Sequence, residues 1–461
     1  MRLLLIMLFM LECVKMKKSK YAKNIKISKD VYTIFNNLVM KPIFLNKNYF
    51  NYFKNNEFDK FSKEEIKLLL SNGLLVNNNI TDKKALDFVR KNIDEEETKN
   101  RIVLMYIIPN NNCNLMCKYC FIGKLNNQHP IKMSTETLYN AIDKFYNHLK
   151  DINYHEGKII FYGGEPLISF DLIEKCVNYI NENNYDIMVN MVTNGTLLTE
   201  KMADFFKDNN VGIGISIDGP KDITDKNRIY YNDFLSVYDK TFKSIKMLQN
   251  KGIEFNLSIT IANDLLQNQK EFLKWIKSIN IKNIAYNILH YTSPTDEWKK
   301  YYREATKFLI KSNNELFELG INDERINRKY TSFYNNEFKF QDCGAKGGNQ
   351  ICISPDGNID ICHALWNNSP KNIGNINDIE FDDIFKTAEF YKWQNNITLN
   401  YSKCLKCPAL FICGGGCSYQ SKSLFGSEDD IDLPFCIHSK MMLKYILTEM
   451  YIERINQNST K

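Results

Sequence analysis

The run Ile102-Val103-Leu104-Met105-Tyr106-Ile107-Ile108 leads through Pro109-Asn110-Asn111-Asn112 into Cys113-Asn114-Leu115-Met116-Cys117-Lys118-Tyr119-Cys120. An apolar, partly β-branched run closed by proline and asparagines reads as a strand, which places the cysteines on the loop that leaves it. Three thiolates on one loop fall short of the four-cysteine shell of a [4Fe–4S] cluster and leave one iron open to an outside ligand. Zinc competes for such a loop, but structural zinc needs four ligands and no fourth Cys or His lies nearby. Unliganded core cysteines fit poorly with this tight spacing on a polar, Asn-rich loop.

Working outward, further apolar runs occur at Lys158–Tyr162, Ile187–Val192, Gly212–Ile217, Phe255–Ile261 and Ile284–Leu289. Helical periodicities lie between them: Leu138, Ala141, Ile142, Phe145 and Leu149; Ile173, Cys176, Val177 and Ile180; Phe234, Val237, Tyr238, Phe242 and Ile245. Six strand–helix units predict an α/β fold with a parallel sheet, which an incomplete barrel fits as well as an open sheet; a partial (β/α)6 TIM-like barrel is expected over residues 99–335, and in either case ligands gather at the C-terminal ends of the strands.

Residues 1–98 read as a separate module. Val31–Phe35 and Ile43–Leu45 flank a Lys41-Pro42 turn, Ser62 and Glu65 are spaced as a capping box, and Asn72-Gly73 closes that helix ahead of Leu74-Leu75-Val76. The pattern predicts a winged-helix-like module, with Lys91–Lys99 as the linker out of it. Leu3–Leu11 is too short to span a bilayer and no small-residue cleavage site follows it, so residues 1–15 read as an over-extended start before Met16. Residues 336–461 are short strands, loops and cysteines. Gln350–Ser354 and Asn358–Cys362 form a hairpin around Pro355-Asp356-Gly357, and a helix runs from about Met441 to Ile455.

Thirteen cysteines in a chain of 461 residues, with 44% apolar and 25% charged residues, point to metal ligation rather than a short secreted disulfide framework. The net charge of +6, without a long basic run, argues against nucleic acid. A cytoplasmic protein with no stable membrane insertion is expected.

Cys113 to Cys120 resembles the signature loop of the radical S-adenosylmethionine (SAM) superfamily. The resemblance implies that Cys113, Cys117 and Cys120 hold a cluster whose open iron binds SAM, and that SAM is cleaved to a 5′-deoxyadenosyl radical that takes a hydrogen atom from substrate. Gly163-Gly164-Glu165-Pro166, after the second strand, resembles the segment that binds the SAM amino group. Thr193-Asn194 and Ser216-Ile217-Asp218 end the third and fourth strands, where the resemblance implies contacts to the ribose and methionine carboxylate. Arg228 matches an arginine that pairs with that carboxylate. Ordinary turn capping accounts for Thr193, Asn194 and Ser216 about as well. Tyr119 and Phe121 flank Cys120 and are expected around the cluster and adenine.

The C-terminal cysteines resemble the SPASM extension, which implies two auxiliary [4Fe–4S] clusters and three clusters in all. Cys343, Cys362 and Cys417 are then the inner set, with Cys352 either its fourth ligand or a plain strand residue. Cys404, Cys407, Cys413 and Cys436 are the outer set. Zinc ribbons are the alternative for Cys404–Cys417. Cys176 reads as core, Cys13 falls in the N-terminal extension, and His363 reads as a surface histidine or a hydrogen-bond donor to a cluster sulfur. Enzymes of this type act on peptides or proteins with a reductant such as flavodoxin or ferredoxin. The expected function is maturation of a ribosomally made precursor peptide by a thioether or carbon–carbon crosslink. Formylglycine formation in a sulfatase is the second reading, and a non-catalytic iron–sulfur electron-transfer or sensor protein the third. The substrate, the bond formed and any catalytic base are not legible.

Overall fold

The computed structural model describes residues 16–77, 79–93, 100–120, 122, 130–231, 234–291, 295–366 and 373–459. Cys13, the Leu3–Leu11 run, Phe121 and most of the Lys91–Lys99 linker lie outside the described residues.

At the N-terminus, β1 (Lys17–Lys18) pairs antiparallel with β5 (Leu75–Val76). Between them β2 (Ala22–Lys26), β3 (Val31–Asn36) and β4 (Ile43–Asn46) form an antiparallel sheet in that order. The expected hairpin is thus the β3–β4 half of a three-stranded sheet. The added strand, Ala-Lys-Asn-Ile-Lys, has too little apolar content to announce itself. The capping box forms as the Ser62/Glu65 spacing requires: Glu65 N donates to Ser62 Oγ at 3.2 Å, and Ser62 N donates to Glu65 Oε2 at 2.7 Å. Helices Lys47–Asn55, Lys63–Ser71 and Asn79–Ile93 complete this part. It is not self-contained. Phe35, Leu38, Val39, Leu86 and Val89 share one buried core with Phe340, Leu410, Phe411 and Ile446 of the cysteine-rich region.

The main sheet carries six parallel strands in sequence order: β6 (Leu104–Ile107), β7 (Gly157–Phe161), β8 (Ile187–Thr193), β9 (Gly212–Ser216), β10 (Phe255–Ile261) and β11 (Asn283–Ile288). The two-residue β12 (Asn322–Asp323) extends it beyond β11. Helices Thr135–Asp151 and Phe170–Glu182 return between strands and bury the periodic positions read from sequence. Cys176 is fully buried among them, a core residue. Phe234 departs from expectation: it is fully exposed, because the helix begins only at Val237, where the Ser236 hydroxyl accepts from Asp239 N.

The C-terminal hairpin does not stand apart from this sheet. β13 (Gln350–Ile353) adds parallel to β6, with Cys352 opposite Tyr106. β14 (Asn358–Asp360) and β15 (Gly374–Asn375) then continue antiparallel. All four β13 residues are buried, which a solvated hairpin could not achieve and which fits an interior strand between β6 and β14. The last helix starts earlier than its apolar pattern suggests, at Leu433, so Cys436 sits in its first turn. Among the described residues no helix is long and apolar enough to cross a membrane.

Candidate active site

The cysteine loop is held at the C-terminal end of the parallel sheet by backbone contacts on two sides. Met116 N donates to Ile229 O at 2.7 Å, Lys118 N to Asn227 O at 2.9 Å, and Tyr231 N to Asn114 O at 3.1 Å. On the other side Glu165 N donates to Asn112 O at 2.7 Å. This approach demands glycine. A Cβ on Gly164 would lie 1.9 Å from Asn112 O and 2.5 Å from Asn112 C, and Gly163 sits at φ +119 against Ile108. Asn110 Nδ2 donates to the Glu165 carbonyl and to Ser169 Oγ, and Asn114 Oδ1 accepts from Asn194 Nδ2 at 2.9 Å.

The Glu165 carboxylate is spent inside the protein. It accepts from the Thr193 hydroxyl, from Asn194 N at 2.8 Å and from Leu167 N at 3.1 Å. Burial raises its pKa, while these donors and the charge of Arg228 work against the rise. Thr193 and Asn194 therefore do cap a turn, and they also tie the end of β8 to both neighbouring loops. Ser216 is half-buried at the end of β9.

Asp218, fully buried, is the hub of a second cluster. It accepts from Arg228 at 3.0 Å, from Thr260 N at 3.2 Å and from the Tyr119 hydroxyl. The Arg228 guanidinium lies 5.6 Å from the Tyr119 ring centre, and its Nε is buried without a protein partner. The arginine expected to meet a ligand carboxylate is thus already held by Asp218 and keeps one buried N–H unspent.

The remaining cysteines sort into two groups. Burial pushes up the Cys417 thiol, and proximity to Cys362 and Cys343 pushes it further. Burial likewise pushes Cys362 to about 12, followed by Cys343. In the other group, burial pushes Cys436 to about 12, followed by Cys413, with Cys404 and Cys407 also adding. Cys352, fully buried in β13, feels only Asp360 and Cys362 beyond its burial. Burial raises the Cys343 thiol, while the Lys346 and Ala345 N–H groups work against the rise. Thiols that oppose one another's ionisation in this way cannot all be thiolates without a cation among them, and iron supplies that charge. The donor sets fit iron–sulfur clusters. Among the described residues, no three Cys, His, Asp or Glu side chains close around a single metal-ion position.

Sequence reasoning missed what lies between the sites. Tyr162, just beyond β7, is pushed to about 12 by burial first and then by Cys120 and Cys362, with Arg228 opposing, and its ring meets Tyr106 edge-on at 6.0 Å. His363 is not a surface residue. Its ring stacks on Tyr106 at 4.2 Å and meets Tyr162 edge-on at 4.9 Å, and burial holds its pKa down at about 4. His290 follows β11 and lies edge-on to Tyr419 at 5.4 Å. These residues come from beyond separate strands and, for Tyr419, from the helix Ser418–Phe425, so no local spacing announces them.

A three-thiol loop at the mouth of a parallel sheet, with two more thiol groups on a module joined to the sheet edge, defines an iron–sulfur enzyme on a partial barrel. The profile of the radical SAM superfamily matches residues 107–279, and that of the iron–sulfur cluster-binding domain SPASM matches residues 343–408. The chain belongs to the radical SAM superfamily and carries a SPASM domain. It is 24% identical over 446 residues to the radical SAM cyclopropyl synthase TigE of Paramaledivibacter caminithermalis, covering 92% of this chain and 90% of that protein. It is 25% identical over 357 residues to a cysteine-type anaerobic sulfatase-maturating enzyme of Clostridium perfringens, covering 72% of this chain and 93% of that enzyme. The fold resembles Streptococcus suis SuiB bound to its precursor peptide SuiA, with a TM-score of 0.54 and 15% identity over 92% of this chain and all of that one.

Proposed function

We propose that this protein is a radical SAM enzyme that matures a ribosomally made precursor peptide. Cys113, Cys117 and Cys120 hold the SAM-cleaving cluster. Cys343, Cys362 and Cys417 hold the inner auxiliary cluster and Cys404, Cys407, Cys413 and Cys436 the outer one; Cys352 is a strand residue and not a ligand. The cluster and SAM together supply a 5′-deoxyadenosyl radical, and the protein's work is to position and shield it. The Gly163–Pro166 turn closes on the cysteine loop. Thr193, Asn194 and Ser216 line the adjoining strand ends. Asp218 and Tyr119 aim the Arg228 guanidinium, whose unspent N–H suits a carboxylate. Tyr162, His363 and Tyr419 wall the space between the cysteine loop and the inner cluster.

The observation that carries the peptide reading is the N-terminal sheet. β2 and β4 are both edge strands, and the sheet is anchored on the cysteine-rich region by Asn37 Nδ2 donating to Cys407 O at 2.6 Å and Arg90 to Leu399 O at 2.9 Å. An anchored open edge is a template for an added peptide strand, in the manner of a winged-helix-like recognition module. The match to TigE spans enough of this chain to include that region, and SuiB, whose fold matches over a similar span, was captured with a precursor peptide. The sulfatase-maturating enzyme uses nearly its whole length to match 72% of this chain. Formylglycine formation is the second reading on that similarity.

The test is anaerobic reconstitution with SAM and a strong reductant, offering a short peptide encoded beside this gene or a sulfatase peptide carrying the target cysteine. Mass-shifted precursor peptide and 5′-deoxyadenosine are expected. Conversion of the sulfatase peptide alone would reverse the order of the two readings. Full clusters without any 5′-deoxyadenosine would leave an electron-transfer protein.

A further inference from the structure

Cys413 and Cys417, assigned above to different auxiliary clusters, are joined by Gly414-Gly415-Gly416, all at positive φ of +69, +84 and +72. No other residue type fits this bridge. A Cβ on Gly414 would lie 2.4 Å from Asp342 N, and one on Gly416 would lie 2.6 Å from Asp432 Oδ2. Against its midpoint rests Lys346, 2% exposed. Its ammonium donates to Gly415 O at 3.0 Å and to Asn396 Oδ1 at 3.2 Å. A Cβ on Gly415 would come within 3.2 Å of Lys346 Nζ.

Burying an ammonium is costly unless an anion compensates it. The chain meets this rule at its other buried lysine here: Lys329 stands 3.6 Å from Asp342 and donates to Ile412 O at 3.2 Å. Among the described residues Lys346 forms no ion pair. Its neighbours are two neutral oxygens and, farther off, groups that feel its charge: Cys343 of the inner set, Cys404 of the outer set and Asp432. Asp432 forms no ion pair with Lys346 and accepts from Cys417 N at 2.9 Å and Phe435 N at 3.0 Å.

We propose that Lys346 is the shared counter-ion of the two auxiliary clusters and holds both of their reduction potentials up. The inference rests on the two-cluster reading of the C-terminal cysteines. A fixed positive charge in a low-dielectric site favours the reduced, more negative state of any cluster beside it. Lys346 is a positioning residue in this scheme; it touches no reacting atom.

The experiment uses the full chain with Cys113, Cys117 and Cys120 changed to Ala, so that only auxiliary clusters remain, and a redox-poised EPR titration. Iron and sulfide analysis comes first. Absence of auxiliary clusters in that parent refutes the two-cluster reading, and the lysine proposal falls with it. With clusters present, Lys346→Gln is expected to shift both potentials negative by a tenfold change in the reduced-to-oxidised ratio or more, which is about 59 mV for a one-electron couple. Lys346→Arg restores them toward the parent values. Should Lys346→Gln fail to fold, Asn396→Asp carries the same test, because it keeps the ammonium and sets a carboxylate against it; a negative shift is again expected. Full iron content with both potentials unmoved overturns the proposal, and a shift confined to one cluster overturns the shared role.

Discussion

Gly164→Ala is a one-carbon change that should disable SAM cleavage without touching a cysteine. The new Cβ would stand 1.9 Å from Asn112 O and 2.5 Å from Asn112 C, so backbone must move and no side chain can rotate away. Ordinary van der Waals separation is roughly 3.5 Å or more, so the turn and the cysteine loop must part by an ångström or more. That displacement also breaks the Glu165 N to Asn112 O bond of 2.7 Å. Overpacking costs about 1–3 kcal/mol and the lost bond adds about 1 kcal/mol. A misplacement of about 1 Å at a reacting centre can cost about a hundredfold in rate. The assay is uncoupled 5′-deoxyadenosine formation after anaerobic reconstitution, normalised to iron content. Gly320→Ala is the control: unlike Gly164, Gly320 sits at φ +70, so its alanine carries backbone strain, but nothing lies within 4 Å of its Cβ position. We expect Gly164→Ala to fall about a hundredfold and the control to keep its rate. A Gly164→Ala enzyme with parent activity and full iron would refute the claim that this contact sets the site geometry.

Three further outcomes follow from the same structure. Burial lowers His148 from 6.5 to about 4, and its Nε2 accepts from Ile102 N at 3.2 Å. The unfolded chain therefore binds the extra proton first, and stability present above about pH 6.5 is lost as pH falls toward 4, up to about 3 kcal/mol. His148→Gln should flatten the melting temperature of the apo-protein across that window, and an unchanged slope would exclude His148 as its source. Cys352→Ala should leave iron and sulfide content at the parent level, because Cys352 feels only one of the three inner thiols; losing one cluster's worth of iron would make it a ligand. Arg228→Met leaves the buried Asp218 carboxylate without its cation, at a cost of about 3–5 kcal/mol. It should raise the SAM dissociation constant at least tenfold, measured by equilibrium dialysis, and parent-like SAM binding would show that Asp218 alone organises this corner.

What the sequence disclosed depended on how local each signal was. The six parallel strands were legible because each is a short apolar run with a periodic helix behind it. The C-terminal cysteine-rich module was legible because its resemblance to SPASM spacing is specific, and the SPASM profile matches residues 343–408. β13 was seen as a strand, but its partner β6 lies some 240 residues earlier, and no residue in Gln350–Ile353 names that partner. His363 was misjudged for a related reason: its burial comes from Tyr106 and Tyr162, which reach it from neighbouring strands of the barrel. The Asn-rich loop stood out as polar, yet the jobs of Asn110, Asn112 and Asn114 emerge only where the Gly163–Pro166 turn and the end of β8 arrive beside them.

The pairing of β13 with β6 has a mechanical consequence. The cysteine loop leaves β6, and Cys362 follows β14, which is paired to β13. The connection from the cysteine loop to Cys362 therefore runs through adjacent hydrogen-bonded strands. Sheet registers do not slide by fractions of a residue, and a slip by one would turn Ile351 and Ile353, both fully buried, to the opposite face. The relative placement of Tyr106 on β6, Tyr162 after β7 and His363 after β14 is consequently set by main-chain pairing. On the proposed peptide reading, a substrate reaching these residues would meet side chains placed by the sheet itself, and the adjustable parts would be the substrate and SAM.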